Sequence, residues 1–323
     1  VSPDTIVSEM KAGNYDIAEM PADQLDSYKD ASNLNLVGSL ESAYEYISFN
    51  LGKYDEASEK NIMDENAKMN DVKLRQAIAY AIDTKTAGEK LYNGLYHPAT
   101  SLIISFFGDL HDSEVEGYSY DPDKANELLD EAGYKDVDGD GIREGKDGKE
   151  FKITFAARKR TEANEALVQQ YIAWWKEVGL NVELYTGRTV EINTFYDAIQ
   201  ANDASIDMYA GGWSTGYDPN PNGLWGETAP FNMSRFVDEK NTELLDAIGS
   251  VASFDEKTNL KNYKAWQEYA FEQAFAIPTF ESEAITALNK RVKNFDTNYG
   301  SASENGIALE NIELTADKGV AAE

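Results

Sequence analysis

The central part of the chain alternates short apolar segments with amphipathic ones. Segments 151–155, 181–185 and 206–209 have the length and apolar character of buried strands, and helical spacing separates them. The first helical stretch, 162–178, ends at Gly179, a residue that favours the position just after a helix. Strands that alternate with helices in this way form sheets covered by helices. The sequence therefore predicts an α/β fold.

Other segments extend this prediction. Residues 33–37 and 43–49 have the apolar pattern of two separate strands, and 276–280 and 285–288 predict two more near the end of the chain. Residues 52–70 are polar without a clear period, and we predict a loop there.

Two further helices have clear boundary signals. Asp83 predicts the start of one helix, because its side chain suits the cap position. Asp121 followed by Pro122 predicts the start of another, and Gly133 predicts its end.

Charge excludes several classes of partner. Asp and Glu number 58 against 29 Lys and Arg, so the formal net charge is −29. This field repels nucleic-acid phosphates and anionic lipids, so we expect no nucleic-acid partner and no basic membrane patch. Solubility alone would also explain the charge. With no Cys and only two His, the chain has no disulfide, no thiolate nucleophile and no His-rich zinc site.

No stretch reaches the roughly 18 consecutive apolar residues of a membrane span. Residues 1–4 lack the basic and apolar regions of a signal peptide. We expect the chain to be a processed or truncated piece of a longer protein, which reaches a membrane only through an anchor absent from this chain.

An acidic loop fits the spacing of calcium-binding loops. Carboxylates at alternate positions converge on a cation when a glycine permits the sharp turn, here Gly141. A tight acidic turn without metal would explain the same residues. The predicted calcium ligands are the carboxylates of Asp136, Asp138 and Asp140, the carbonyl of Ile142 and the carboxylate of Asp147.

A second unusual stretch is 206–236, which contains six aromatic residues but only four charged ones among its 31 residues. Its five Gly and three Pro predict irregular structure after Tyr209. Long aromatic loops often carry binding functions, although packing on the loop's own domain is the alternative.

Catalytic motifs are absent from the sequence: it contains no nucleophile elbow and no phosphate-binding loop. A pair of carboxylates for glycoside hydrolysis stays open, because 58 acids offer many pairs.

Segments 71–83, 120–134 and 213–221 resemble segments of one family, the family 5 extracellular solute-binding proteins, which are the oligopeptide- and dipeptide-binding proteins of ABC importers. The most specific segments are 71–83, similar to the family's V-R-x-A-x-x-Y-A-I-D helix, and 120–134, similar to its Y-D-P-x-K-A-x-x-L-L-x-E-A-G-Y helix. Residues 213–221 look like its W-x-x-G-x-D-P-x-P loop. Weaker matches lie at 11–18, 98–100 and 276–278, and all matches keep the family order.

The resemblance implies a two-lobed receptor of the periplasmic-binding-protein type that closes on a ligand between its lobes. Family members are longer, so residues 1–43 and 281–323 would be remnants of lobe one. Residues 44–280 would form lobe two, a mixed sheet with flanking helices. The hinge strands would lie near 43–49 and 277–280.

The resemblance also implies a function, the capture of oligopeptides outside the cell and their delivery to the permease subunits of an ABC transporter. The protein would be a monomer without enzymatic activity or a required cofactor, at the extracellular face of the membrane as a lipoprotein or in the periplasm.

Some relatives have an Asp that binds the peptide's amine at the position where this chain has Gly216. A saccharide receptor of the same fold, an extracellular hydrolase with two carboxylates and a peptide-pheromone sensor are the alternatives. The expected ligand-binding residues are Trp213, Tyr217 and Trp225 as flanking aromatics, and Asp218, Asn220, Asn222 and Arg235 as polar partners.

Overall fold

The structure is a computed structural model that describes residues 3–295 and 309–323. Its helices and strands alternate in the central part of the chain, which confirms the predicted α/β class. The helices are α1 (Pro3–Lys11), α2 (Leu25–Tyr28), α3 (Val72–Tyr80), α4 (Thr84–Leu91), α5 (Pro122–Ala132), α6 (Glu162–Glu177), α7 (Ile192–Gln200), α8 (Asn222–Trp225), α9 (Glu239–Ile248) and α10 (Glu256–Gln273).

The strands differ greatly in length. They are β1 (Ile17–Met20), β2 (Leu34–Phe49), β3 (Gly52–Asp55), β4 (Lys60–Met63), β5 (Tyr96–Pro98), β6 (Lys152–Ala156), β7 (Asn181–Leu184), β8 (Met208–Ser214), β9 (Ala276–Asn289), β10 (Val292–Lys293) and β11 (Glu313–Leu314).

Side-chain caps set the helix boundaries that the sequence predicts. The Asp83 carboxylate accepts a hydrogen bond from the Thr86 amide and starts α4. The Asp121 carboxylate accepts one from the Lys124 amide and starts α5. Gly133 ends α5 in the left-handed conformation, with φ of 93°, which glycine adopts without steric cost.

The main sheet has seven strands in the order β1-β9-β2-β8-β6-β7, with β5 paired to β9. Strands β7, β6 and β8 run parallel to one another, whereas β2 runs antiparallel to β8 and β9. Such a mixed sheet joins a parallel α/β unit to an antiparallel ribbon.

The antiparallel ribbon differs from the sequence-based prediction. Segments 33–37 and 43–49 are one continuous strand of 16 residues, and the two predicted strands near the end of the chain are likewise one strand of 14 residues. The two strands pair from Leu34 opposite Asn289 to Ser48 opposite Ala276, with register shifts in the middle. The prediction failed because Gly38 and Ser39 pair regularly with Ile285 and Ala284, and the register shift between Leu40 and Tyr44 is absorbed within the strand as a β-bulge.

Two shorter predictions were also wrong. The sequence predicts a loop at residues 52–70, but the structure has the antiparallel hairpin β3–β4 there. Strand β8 continues past Tyr209 to Ser214, because its backbone pairs with β2 even where the sequence is rich in glycine. At Gly211 this pairing needs a small residue, since an added Cβ would lie 2.7 Å from the ring of Tyr46.

The apolar side chains form two separate clusters. The larger one fills both faces of the main sheet and includes most of the buried aromatic residues. The smaller one lies at the end of that sheet where β1, the first residues of β2 and the last residues of β9 pair. Its buried members are Val7, Met10, Met20, Tyr28, Leu34, Ile285 and Ala287.

The division of the chain into lobes stays a prediction. Part of segment 281–323, namely residues 296–308, lies outside the described residues.

Candidate functional site

The candidate site lies at the edge of the main sheet where β6 and β8 end. Their carboxyl ends point the same way because the two strands are parallel. Strand β2 passes this edge at Ala43, which lies opposite Ser214. The part of β2 that precedes Ala43 leads back to Leu34 in the smaller apolar cluster. The amide of Thr215 donates a hydrogen bond of 2.8 Å to the Ser42 carbonyl at this point. In open α/β sheets, ligands bind outside the carboxyl ends of the strands, so this edge is the natural place for a cleft.

Two predicted aromatic residues lie on one side of this edge. Trp213 is half-buried in β8, and its ring centroid lies 5.7 Å from that of Phe231. Tyr217 is 64% exposed, and its ring centroid lies 6.3 Å from that of Phe106. Together, Trp213, Tyr217, Phe231 and Phe106 form what we call the aromatic rim. Its exposed ring faces offer stacking area that a ligand can cover.

Trp225 does not belong to this rim. It is only 1% exposed, and its ring packs against Tyr46 at 5.5 Å and Phe275 at 5.2 Å between centroids. Its indole N–H points to the Tyr44 hydroxyl, at 3.3 Å. The expectation that Trp225 flanks a ligand is therefore wrong in this structure. The aromatic loop contains one helical turn, α8, that turns this side chain into the core.

Arg235 is the second correction. Its side chain is 2% exposed and donates hydrogen bonds to Asn61 Oδ1 at 2.9 Å and Asn202 Oδ1 at 3.0 Å. It also donates to the backbone carbonyls of Gln200 and Pro230. Burial lowers the pKa of its guanidinium, and the surrounding acceptors compensate for the lost water. Arg235 thus ties the loop to β4 and to the end of α7 instead of facing a ligand.

The remaining predicted residues shape the turn after Tyr217. Asp218 Oδ1 accepts a hydrogen bond from the Asn220 amide at 2.9 Å, and Asn220 Oδ1 accepts one from the Asn222 amide at 3.0 Å. Asp218 and Asn222 are exposed and Asn220 is half-buried. All three stay predicted ligand partners, on the same loop as the exposed Tyr217.

Sequence reasoning missed an ion pair at the opposite side of the edge. Arg160 follows the end of β6 and contacts Glu45 of β2, and the attraction of this carboxylate raises the pKa of the guanidinium. The two residues come together because β6 and β2 flank β8 in the sheet. The signal that could have found Arg160 is its position just after a predicted strand, where ligand-facing residues of α/β sheets are concentrated.

A cavity of about 510 Å³ opens beside this ion pair. Tyr92, Tyr96, Arg160 and Asn164 line it from the side of the large core, whereas Tyr15 and residues 17–23 line it from the side of the small one. The rings of Tyr92 and Tyr96 stack with centroids 4.0 Å apart. We call this cavity the hinge pocket, because Glu41 and Glu283 line it from β2 and β9, the strands that contain the predicted hinge segments. Its volume is within the range of small-molecule sites.

The acidic loop lies away from this edge. Asp136, Asp138 and Asp140 are exposed, and each offers an oxygen within 4.8 Å of the others. Asp147, the predicted last ligand, does not lie close to these three carboxylates. Its Oδ2 atom instead forms an ion pair of 2.9 Å with Lys149 Nζ. The hydrogen bond from Lys149 lowers the pKa of Asp147. The spacing failed at this position because a separate turn, closed between the Gly145 and Lys149 backbones, removes Asp147 from the loop.

Arg143 anchors the acidic loop without neutralising it. Its guanidinium donates to Asp130 Oδ1 at 2.5 Å and to the Tyr134 carbonyl at 2.7 Å, while Nε donates to the Val178 carbonyl at 2.9 Å. These partners lie on or next to α5 and α6, and none of them is one of the three aspartates. Their mutual repulsion favours a cation at this position.

Calcium binding by this loop stays a prediction with a clear measurement. We expect millimolar calcium to raise the melting temperature above its value in chelator, by an amount that corresponds to about 2.7 kcal/mol when calcium is a hundredfold above its dissociation constant. Asp140→Ala should abolish the shift, whereas Asp147→Ala should retain it. Equal melting temperatures of the unaltered chain in both buffers would contradict calcium binding.

Comparison with known proteins identifies the class and then the family. The mixed sheet with flanking helices is the fold of solute-binding proteins of the periplasmic-binding-protein type. Residues 1–235 match the family described as bacterial extracellular solute-binding proteins, family 5 Middle. The chain therefore belongs to the family 5 bacterial extracellular solute-binding proteins, which confirms the family resemblance inferred from its motifs.

Individual relatives are similar over most of the chain. The oligopeptide-binding protein OppA of Lactococcus lactis subsp. cremoris (strain SK11) is 34% identical over 307 residues, which are 93% of this chain and 51% of the relative. The structure of lactococcal OppA, complexed with an endogenous peptide in the closed conformation, superposes with a TM-score of 0.87 at 34% identity, over 91% of this chain and 55% of that one. The Bacillus subtilis oligopeptide-binding protein AppA, in complex with a nonapeptide, shares the fold with a TM-score of 0.78 at 20% identity, over 98% and 59% of the two chains. This chain thus spans about half the length of the curated relatives that it matches.

Proposed function

We propose that this chain acts as part of an extracellular receptor that captures oligopeptides and delivers them to an ABC importer. The observation that carries the proposal is the aromatic rim and the hinge pocket at one edge of the sheet, between two apolar clusters. A peptide needs donors and acceptors for its backbone and tolerant surfaces for its side chains, and this edge offers both. The relatives named above are oligopeptide-binding proteins, which supports the same ligand class.

A division of the chain between two lobes would provide the closure that this mechanism needs. We propose residues 44–280 as lobe two, with 1–43 and 281–323 as parts of lobe one. Strands β2 and β9 would serve as the hinge, since they are the strands shared by both apolar clusters. Closure of the lobes would remove the bound peptide from water and strengthen its hydrogen bonds.

The cellular setting follows from the same proposal. The receptor would act outside the cytoplasm, lipid-anchored at the membrane or free in the periplasm, as a monomer that contacts the permease subunits. No helix among the described residues is long and apolar enough to cross a membrane. A receptor of this kind releases its ligand unchanged and needs neither catalytic residues nor a cofactor.

Tyr217→Ala tests the position of the site. We expect the variant to bind oligopeptide about 1–2 kcal/mol more weakly, because the exposed ring would lose its contact with the ligand. The melting temperature should stay unchanged, since the side chain is 64% exposed. Calorimetric titration with one peptide selected from a mixture by co-elution measures the loss.

Phe254→Ala is the matched control for this prediction. Phe254 is also an aromatic residue, 91% exposed, but it lies in the turn between α9 and α10. We expect its replacement to leave the affinity unchanged. A loss of affinity that is equal in both variants would move the site away from the aromatic rim.

A further inference from the structure

Arg158 lies between the two parts of the candidate site. It follows the end of β6, where its backbone pairs with Val190 near the start of α7. Its guanidinium lies against β8, since a Cβ atom on Gly212 would stand only 3.1 Å from its Nη2 atom. Gly212 directly precedes Trp213 of the aromatic rim, and Arg160, two residues after Arg158, lines the hinge pocket. A peptide that spans the rim and the pocket would therefore pass Arg158.

The Arg158 guanidinium is oriented but not neutralised. Its Cζ atom lies 6.0 and 5.7 Å from the ring centroids of Phe195 and Tyr196, and Nη1 donates a hydrogen bond of 3.2 Å to the Tyr196 hydroxyl. No carboxylate in the part of the chain that the structure describes forms an ion pair with it. Its other N–H groups have no acceptor among these residues and are open to solvent. Because the side chain is half-buried against two rings, these donors are held in place and available to a ligand.

Other arginines with little exposure have their hydrogen bonds within the chain. Each of the four donates to at least three oxygen atoms of described residues, whereas Arg158 donates to one. These four buried or half-buried arginines are Arg75, Arg143, Arg235 and Arg291. A guanidinium taken partly out of water needs acceptors, so the missing ones at Arg158 indicate a ligand that supplies them.

Two carboxylates that neighbour Arg158 are already engaged. Glu45 of β2 is paired with Arg160, and Glu191, at the start of α7, accepts a hydrogen bond from the Asn193 amide. The crevice that Arg158 lines has Glu45 and Arg160 as its other charged lining residues among those described, so its formal charge is positive. The net charge of −29 is spread over the whole chain, and salt screens it beyond about 8 Å, whereas a ligand at Arg158 would be in direct contact.

We propose that Arg158 binds the carboxylate of an aspartate or glutamate side chain in the interior of the captured peptide. This inference rests on the proposed peptide-binding function and adds a sequence preference to it. The planar guanidinium can donate two parallel hydrogen bonds to one carboxylate, which provides the acceptors that the described chain does not. An interior residue is indicated because the rim and the hinge pocket flank Arg158, so the peptide continues beyond it in both directions.

The test compares three heptapeptides by calorimetric titration at one salt concentration. The first has a central glutamate and blocked ends, the second has glutamine in its place, and the third has the glutamine with a free carboxyl terminus. Glutamine retains the shape of glutamate and lacks its charge. We expect the glutamate peptide to bind at least about fivefold more tightly than either glutamine peptide.

Arg158→Met retains an apolar side chain of similar length beside Phe195 and Tyr196 and removes the charge. In this variant the preference for glutamate should fall to within about twofold. Arg188→Met is the matched control, because Arg188 is exposed and lies two residues before Val190, the backbone partner of Arg158. It should retain the preference, since direct contact and not the general field selects the carboxylate.

Three results would overturn this inference alone. They are equal affinities of the unaltered chain for the two blocked peptides, a preference that appears only with the free carboxyl terminus, and a preference for glutamate that persists in Arg158→Met. The first two comparisons use no variant, so they decide the matter even if Arg158→Met does not fold. Absence of binding with every peptide would overturn the proposed function together with this preference.

Discussion

Trp225→Ala is expected to lower the free energy of unfolding by about 3–5 kcal/mol. The indole is 1% exposed and fills the space between Tyr46 and Phe275, so its removal leaves a cavity that the rigid sheet cannot close. The Tyr44 hydroxyl would also lose its contact with the indole N–H. Because this tryptophan does not reach the proposed cleft, the folded variant should bind peptide with unchanged affinity. Chemical denaturation and calorimetric titration measure the two quantities.

Trp213→Ala gives the opposite expectation within the same loop. Its indole is half-buried at the aromatic rim, so we expect a peptide affinity lower by about 1–3 kcal/mol and a much smaller loss of stability than for Trp225→Ala. The contrast between the two tryptophans separates a binding residue from a core residue. A large loss of stability in Trp213→Ala with normal affinity would remove Trp213 from the site.

Arg235→Met is expected to destabilise the chain by about 3–5 kcal/mol, through a different mechanism. Methionine fills much of the volume but donates no hydrogen bond. The amide oxygens of Asn61 and Asn202 and the carbonyls of Gln200 and Pro230 would lose this donor. Such uncompensated burial of several acceptors costs more than the net contribution of each hydrogen bond.

Arg188→Met is the control for this substitution, because Arg188 is exposed. We expect it to change the free energy of unfolding by no more than about 0.5 kcal/mol. If both arginine variants had the same stability as the unaltered chain, the interior role of Arg235 would be wrong and a role in ligand binding would return.

Local signals explain why much of the fold could be predicted from sequence. The helix that begins at Pro122 has a capping aspartate before it and a glycine after it, and both act within one turn of the backbone. The segment that became α6 likewise has its apolar residues on one face and ends before Gly179. Such features need no knowledge of distant parts of the chain.

Long-range pairing explains what could not be predicted. Strands β2 and β9 are continuous because each provides the hydrogen-bond partners of the other across the register shifts, which is a property of two segments far apart in sequence. Burial of Trp225 and Arg235 has the same origin, since their partners Phe275 and Asn61 lie outside the aromatic loop. Composition identified residues 206–236 as a candidate binding loop. Only the packing of the folded chain shows which of its side chains are buried in the core and which lie in the aromatic rim.

The continuous strands also give the proposed receptor its physical basis. A ribbon of two paired strands can bend at a bulge while its hydrogen bonds hold the two ends in register. The bulges of β2 lie between Leu40 and Tyr44 and between Glu45 and Tyr46, next to the hinge pocket. We therefore expect closure to change the shape of the pocket and the rim together.

Native mass spectrometry of the chain with a defined mixture of oligopeptides and oligosaccharides tests the central claim most directly. The account predicts new peaks at the mass of the chain plus one intact peptide, weakened by Tyr217→Ala and unaffected by Phe254→Ala. The released peptides should have their original masses. Peaks that contain only oligosaccharide, or the appearance of shortened ligands in the solution, would contradict a peptide receptor and favour the saccharide receptor or the hydrolase.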